Sequence, residues 1–371
     1  MELFIHIGTN LEYFNLLNKG KLLSVGKQDR DLASFFMENF PGELATNISP
    51  QYEVNFMAIR EIKKRFGQNY FDKIAGIYYG SDNCEYLVPT KVELEKAIEN
   101  FKEFNKNFPP HKVRTFTFVT PYVGNKMLER LEESLEYLNS LNMKNPIEVV
   151  VNDFGVLRLI NTKYKNLSIN FGRLIHKLLK TPLIDTFGYE AHPAGELIKN
   201  KSEQEKLRLR DEIVKWQLKF YNSSEVSLDI YKNFLLKNSV KRVALDYMEK
   251  REDLYKSCSA TNPPVTSDIP INKGDIVGID LYYPWALIFT GRLCDTSAIE
   301  NPSRGMYTID DICPRTCDRY DVSYKIKTVG YNMLQRGNAG YRSELNLDFL
   351  TDDFISSNLG NRLVFAPFIT V

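Results

Sequence analysis

The 371-residue sequence predicts an α/β protein, a (β/α)8 TIM-barrel-like fold in regular or distorted form with a helical insertion. Three observations lead there. Short apolar, β-branched runs alternate along the chain with amphipathic helical patterns, the order expected of a parallel sheet with right-handed crossovers. Several runs are apolar throughout instead of at every second residue, as strands covered on both faces are. The clearest of them stop at Gly, Asn or Asp, which end strands where loops begin. A doubly wound open sheet satisfies the same periodicity, but no G-x-G-x-x-G or Walker loop follows a strand, which weighs against a nucleotide-binding sheet.

Taken in order, Leu3 to Ile7 suits a short strand and Asn10 to Leu17 a short helix. Periodicity is weak up to about Pro50, so residues 1–50 read as an N-terminal extension to a domain covering 51–371. A helical pattern from Tyr52 to Phe66 leads into the strand Lys73 to Tyr79. Thr90 and Glu93 have the spacing of a capping box, and Leu94, Ala97, Ile98 and Phe101 mark one face of the helix beyond it. Val113 to Val119 is the next strand, Leu128, Leu131, Leu135 and Leu138 form the next helical stripe, and Ile147 to Val151 is a strand that breaks at Asn152. Leu167 to Asn170 is expected as a short strand and Gly172 to Lys180 as a helix. Residues 181–239 are charged and mostly helical in pattern, and read as the insertion. Strands resume at Arg242 to Leu245, Ile276 to Leu281 and Trp285 to Thr290, and the chain closes on the β-prone Val322 to Val329 and Arg362 to Ile369.

Composition narrows the classes of function. With 43% hydrophobic and 26% charged residues the chain supports a sizeable core, and 48 basic against 47 acidic residues leave no field that favours nucleic acid or an anionic membrane. The segment MELFIHIGTN has no signal-peptide layout, and no apolar run approaches the roughly 20 residues of a membrane span. The expectation is a cytoplasmic protein with reduced thiols, where grouped cysteines indicate a metal site more often than a disulfide framework.

Three of the five cysteines fall between Trp285 and Tyr320. Cys294 follows the run Ala286 to Thr290, and Cys313 and Cys317 form a C-x3-C pair on a Pro-containing loop. Such a pair brings two thiolates to a common centre. Cys84 lies just past the strand ending at Tyr79, so a parallel barrel would deliver it to the same carboxyl edge, where such folds carry their chemistry. Four thiolates serve zinc and iron-sulfur clusters alike, and inert core thiols are the plain alternative. Cys258 lies outside the set. Arg292, two residues before Cys294, is a candidate donor to cluster sulfurs or to a substrate carboxylate, with a surface ion pair as the alternative. Asn152 and Asp153 are substrate-binding candidates at the same edge, with a turn or helix cap as the alternative. Asp246 and Asp280 end strands in similar positions, while His176 and His192 lack ligand spacing and read as structural.

At Ile74 to Cys84 (IAGIYYGSDNC), Glu148 to Leu157 (EVVVNDFGVL) and Gly291 to Cys317 the chain resembles the collagenase-like peptidase U-thirty-two family, nearest to its UbiV-type iron-sulfur branch. The likeness covers roughly residues 52–371. The resemblance implies a barrel, a 4Fe-4S cluster held by Cys84, Cys294, Cys313 and Cys317, a part in oxygen-independent hydroxylation of a small molecule, and a paralogous family member as heterodimer partner. The family's asparagine-aspartate-x-glycine turn falls on Asn152, Asp153 and Gly155. The stretch between Cys294 and Cys313 is longer than the family's, a difference that loop closure tolerates.

Three functions stand as expectations. The first is an iron-sulfur hydroxylase component. The second is a peptidase, as the family name suggests, although no H-E-x-x-H or G-x-S-x-G is present. The third is a scaffold or accessory protein in which a metal, zinc included, only staples a loop to the barrel.

Overall fold

The computed structural model describes residues 1–18, 50–109, 111–176, 200–209, 212, 228–246, 278–291, 294–300, 313–318, 320–326, 331–343, 345, 347 and 362–367. Eight parallel strands close a barrel: β1 (Glu2–His6), β2 (Ile74–Gly80), β3 (Thr115–Thr120), β4 (Glu148–Val151), β5 (Ser168–Phe171), β6 (Val240–Asp246), β7 (Gly278–Tyr283) and β12 (Arg362–Phe365), with β12 between β7 and β1. This is the (β/α)8 TIM-barrel-like fold that the alternation of elements predicts. Helices α1 (Leu11–Asn18), α2 (Pro50–Phe66), α3 (Lys91–Lys106), α4 (Asn125–Ser140), α5 (Phe154–Lys163) and α6 (Asp229–Lys237) lie between the strands, and none is long and apolar enough to cross a membrane.

The strands bury both faces. Leu3, Ile5, Ile77, Phe116, Phe118, Val149, Val151, Ile169, Val243, Leu245, Leu281 and Phe365 belong to the shell shared with the helices. The alternate positions Phe4, Tyr78, Val119, Val150, Ala244, Tyr282 and Val364 form a second cluster, one residue from each strand except β5. Strands such as β2 and β4 therefore read as largely apolar runs, which hides their period of two, whereas β5 (SINF) shows it. The helices carry the stripes the sequence predicts: Leu94, Ala97, Ile98 and Phe101 are buried on α3, and Leu131, Leu135 and Leu138 on α4. At the start of α3 the Thr90 hydroxyl accepts from the Glu93 amide while the Glu93 carboxylate accepts from the Thr90 amide, a complete capping box.

A polar layer crosses the barrel interior below the apolar one. The Arg362 guanidinium forks onto Glu148 at 2.5 and 2.9 Å, and Glu148 also accepts from Thr117 and Asn170. Arg242 donates to Asp280 at 2.5 Å, and the Tyr78 hydroxyl donates to the other Asp280 oxygen at 2.7 Å. Two cations face two anions, so the layer is internally neutral.

Three expectations are corrected. Residues 1–50 are not simply an extension, because Glu2–His6 is the first barrel strand, paired with β12 and β2. The strand itself is expected at Leu3 to Ile7, but its pairing with β2 and β12 is remote in sequence and leaves no local mark. Trp285–Thr290 is a strand (β8) but not a barrel strand: it joins an antiparallel sheet of order β8, β11 (Ala339–Ser343), β10 (Tyr331–Arg336), β9 (Val322–Ile326). Only Pro284 separates it from β7, whereas a parallel neighbour needs a crossover of a dozen or more residues. The described part of the expected helix at Gly172 to Lys180, Gly172 to His176, is turn. Buried contacts of Arg173 and His176 hold it in that form. Of the 181–239 insertion, α6 is an ordinary barrel helix preceding β6, residues 203–209 are helical, and most of the remainder lies outside the described residues.

Glu148→Leu leaves the Arg362 guanidinium without its fork inside the barrel, so the variant is expected to lose about 3–5 kcal/mol in urea unfolding of the full chain. A loss below about 1 kcal/mol would show that the layer is not the charge-balanced unit described.

Candidate functional site

The carboxyl ends of the barrel strands form a mouth, and the antiparallel sheet sits on it. Strand β2 ends at Gly80, whose φ of +133° and whose approach to β3 exclude a side chain, since a Cβ there would lie 2.1 Å from the Val119 oxygen. The chain then turns into Ser81, Asp82, Asn83 and Cys84. The Ser81 hydroxyl accepts from the Asn83 and Cys84 amides at 3.3 and 3.0 Å, which fixes the turn.

Beneath the cap, Arg173 is clamped between two carboxylates. It donates to Asp82 at 2.9 Å and to Asp246 at 2.7 Å, and the same group donates to the Trp285 carbonyl at 3.2 Å. Its guanidinium lies 4.2 Å over the Tyr282 ring, a cation-π contact. Burial works against the charge, but Asp82 and Asp246 outweigh it and hold the Arg173 pKa above its ordinary value. Asp246 also accepts from the Leu287 amide at 3.0 Å, so one carboxylate binds the barrel to β8. His6, fully buried, donates to the Gly80 carbonyl at 3.2 Å. Burial lowers its pKa to about 4 against the pull of Asp82, so its approach to Asp82 at 3.8 Å is that of a neutral ring and not an ion pair. Arg173 Nε, the Tyr282 hydroxyl and the Trp285 indole N–H are buried here with no hydrogen-bond partner among the described residues.

The thiols lie at the side of this mouth. Cys84 and Cys317 pack in one cluster with Leu87, Trp285, Leu287, Leu334, Tyr341 and Leu174. Burial pushes the Cys84 thiol far above the ordinary cysteine range, and Cys317, Cys313 and Cys294 each add to that shift through their charge. The Tyr86 backbone amide acts in the other direction and favours the Cys84 thiolate. Cys317 is pushed up to about 12, by burial first, while the buried Arg336 guanidinium pulls the other way. All four are free thiols. Among the described residues no three of His, Cys, Asp and Glu are placed to close on a single metal ion. As a donor set, four soft sulfurs from three chain segments, one with a backbone donor and one beside a guanidinium, suit a group that spans several thiolates.

The other expected residues have different employment. Asp153 is the N-cap of α5, accepting from the Gly155 and Val156 amides at 2.6 and 3.1 Å. Asn152 is buried and ties three loops together: it donates to the Thr120 carbonyl at 3.0 Å and to Asp82 at 3.4 Å, and accepts from the Leu174 amide. Asp280 belongs to the lower polar layer, and His176 bonds the Ala244 carbonyl at 2.6 Å and stacks on Phe171. Arg292, Cys258 and His192 lie outside the described residues. Sequence reasoning misses Arg173 and Arg336, single arginines without pattern, and also Gly337-Asn338. That dipeptide between two β-prone runs is itself a hairpin signal.

No family model, no curated protein and no solved structure matches the chain.

These assignments separate two kinds of substitution. Asp153→Ala removes a cap and is expected to cost about 1 kcal/mol. Arg173→Met strands two buried carboxylates and is expected to cost about 3–5 kcal/mol. Denaturant midpoints of the two variants measure the difference, and equal losses would contradict the clamp.

Proposed function

We propose that the protein binds a 4Fe-4S cluster through Cys84, Cys294, Cys313 and Cys317 and serves as a component of an oxygen-independent hydroxylation system acting on a small molecule, with a paralogous family member as partner. The observation that carries the reading is that Cys84 and Cys317 pack in one cluster while Asn338 bonds the residue before Cys84 to the chain leading into Cys294. The resemblance of the cysteine-bearing segments to the iron-sulfur branch of the collagenase-like peptidase family supports the cluster and the partner.

When bound, such a cluster supplies one-electron transfer or a site for substrate. The chain's own residues do the rest. The Tyr86 amide favours the thiolate of Cys84 and the Arg336 guanidinium that of Cys317, both against burial. Arg173 Nε, the Tyr282 hydroxyl and the Trp285 N–H offer buried donors to an oxygen-bearing small molecule under the cap. The capping sheet keeps bulk water from that position, since Trp285, Leu287 and Tyr341 are buried over it.

Purification without oxygen, with iron and acid-labile sulfide analysis, tests the proposal. A brown protein with about four irons per chain is expected. Cys84→Ala and Cys313→Ala should each abolish retention, and Cys258→Ala should not. Equal iron in all three variants would refute the ligand set, a colourless protein with one zinc would favour the metal-stapled scaffold, and hydrolysis of unfolded protein that survives loss of the four thiols would favour a peptidase.

A further inference from the structure

The three thiol-bearing segments, at Cys84, at Cys294 and at Cys313 to Cys317, are each tied directly to one hairpin. Strands β10 and β11 are joined by the two-residue turn Gly337-Asn338, with Arg336 paired to Ala339 across it and Gly337 at φ +64°. A glycine with positive φ at the first turn position is the arrangement that matches strand twist in so short a loop. The turn projects Asn338 between two other segments. Its side-chain amide donates to the Asn83 carbonyl at 2.9 Å, one residue before Cys84. The same nitrogen donates to the Gly291 carbonyl at 2.7 Å, three residues before Cys294, while the Gly291 amide donates to the Asn338 carbonyl at 2.9 Å.

The neighbouring hairpin residues hold the chain on the far side of Cys294 and at Cys317. Gln335 donates to Asp295, directly after Cys294, and the Thr296 hydroxyl donates to the Gly337 carbonyl at 3.2 Å. Arg336 donates to the Cys317 carbonyl at 2.5 Å. The segment from Cys313 to Cys317 has a second anchor outside the hairpin, Arg315 to Glu93 of α3 at 3.2 Å.

We infer that Asn338 is the positioning residue that sets the spacing between Cys84 and Cys294. One amide nitrogen shared between two carbonyls is a rigid link, because moving either segment breaks a bond whose donor has no spare proton direction to follow it. Asp at this position has the same shape and offers no donor, so it turns both attractions into repulsions. The inference deepens the cluster reading and rests on it for its purpose, but the geometry it describes exists in the metal-free chain.

The test uses the full-length protein. In the metal-free, reduced form, a short bis-maleimide and subsequent peptide mapping measure the yields of the Cys84–Cys294 and Cys84–Cys313 cross-links. In the form isolated without oxygen, iron per chain and the half-life of iron in excess chelator are measured. Asn338→Asp and Asn338→Ala are expected to lower the Cys84–Cys294 yield about fivefold or more and leave Cys84–Cys313 within about twofold, with iron lost about tenfold faster, the scale on which supporting residues act at metal sites. Asn338→Gln, which keeps the donor, should restore part of the Cys84–Cys294 yield. An unchanged Cys84–Cys294 yield in the folded Asp variant would overturn the inference, and so would an equal fall in both yields, which marks general loosening. A protein without iron whose cross-links change as expected would sink the cluster reading and leave the positioning role standing. The reverse pattern would do the opposite.

Discussion

One buried guanidinium joins the two parts of this protein. Arg173 stands at the centre of the barrel mouth, takes Asp82 from the end of β2 and Asp246 from the end of β6, and reaches the backbone of the capping sheet at Trp285. None of these groups is stable alone in such surroundings. An uncompensated carboxylate or guanidinium at this depth is strongly destabilising, so the three are fixed relative to one another by mutual need. That need determines where the Asp82 to Cys84 turn lies, and hence where the first thiol lies.

The order of the chain makes the cap unavoidable. After β7 the polypeptide leaves the barrel, builds β8 to β11, and returns only for β12, which closes the sheet between β7 and β1. The eighth strand is thus short and late, and Arg362 forked onto Glu148 holds it across the barrel interior. A neutral charge cluster in the lower layer and the Arg173 clamp at the mouth, one guanidinium shared by two carboxylates, bracket an apolar middle of Phe4, Tyr78, Val119, Val150, Ala244, Tyr282 and Val364. Polar groups confined to such layers specify a geometry that an all-apolar interior would leave to packing alone.

How much of this is legible in the residues alone depends on the range of the interaction. The strands from Ile74 to Leu281 and the stripes and cap of α3 are legible because each is written within a short stretch of chain. Glu2–His6 is legible as a strand but not as a barrel strand, since its place is set by partners more than sixty residues away, β2 and β12. Trp285–Thr290 has the composition of a barrel strand and a different sheet, and the single residue between it and β7 is the clue to the difference. At the site, the cysteines announce themselves by type and spacing, whereas Asp153 divides evenly between cap and ligand until its contacts with Gly155 and Val156 are visible. Arg173, Arg336 and Asn338 act on partners up to 255 residues away, and no local pattern marks such residues.

The resulting rim has a simple electrostatic logic. Burial makes Cys84 and Cys317 resist ionisation, and the Tyr86 amide at the first and Arg336 at the second offset only part of that resistance. A positively charged inorganic group shared by all four would remove the rest. Iron K-edge X-ray absorption of the full-length protein isolated without oxygen addresses this most directly. The account predicts a first shell of sulfur alone together with a short iron–iron vector, both lost in Cys84→Ala; a shell containing nitrogen or oxygen from the chain, or iron without an iron neighbour, would contradict it.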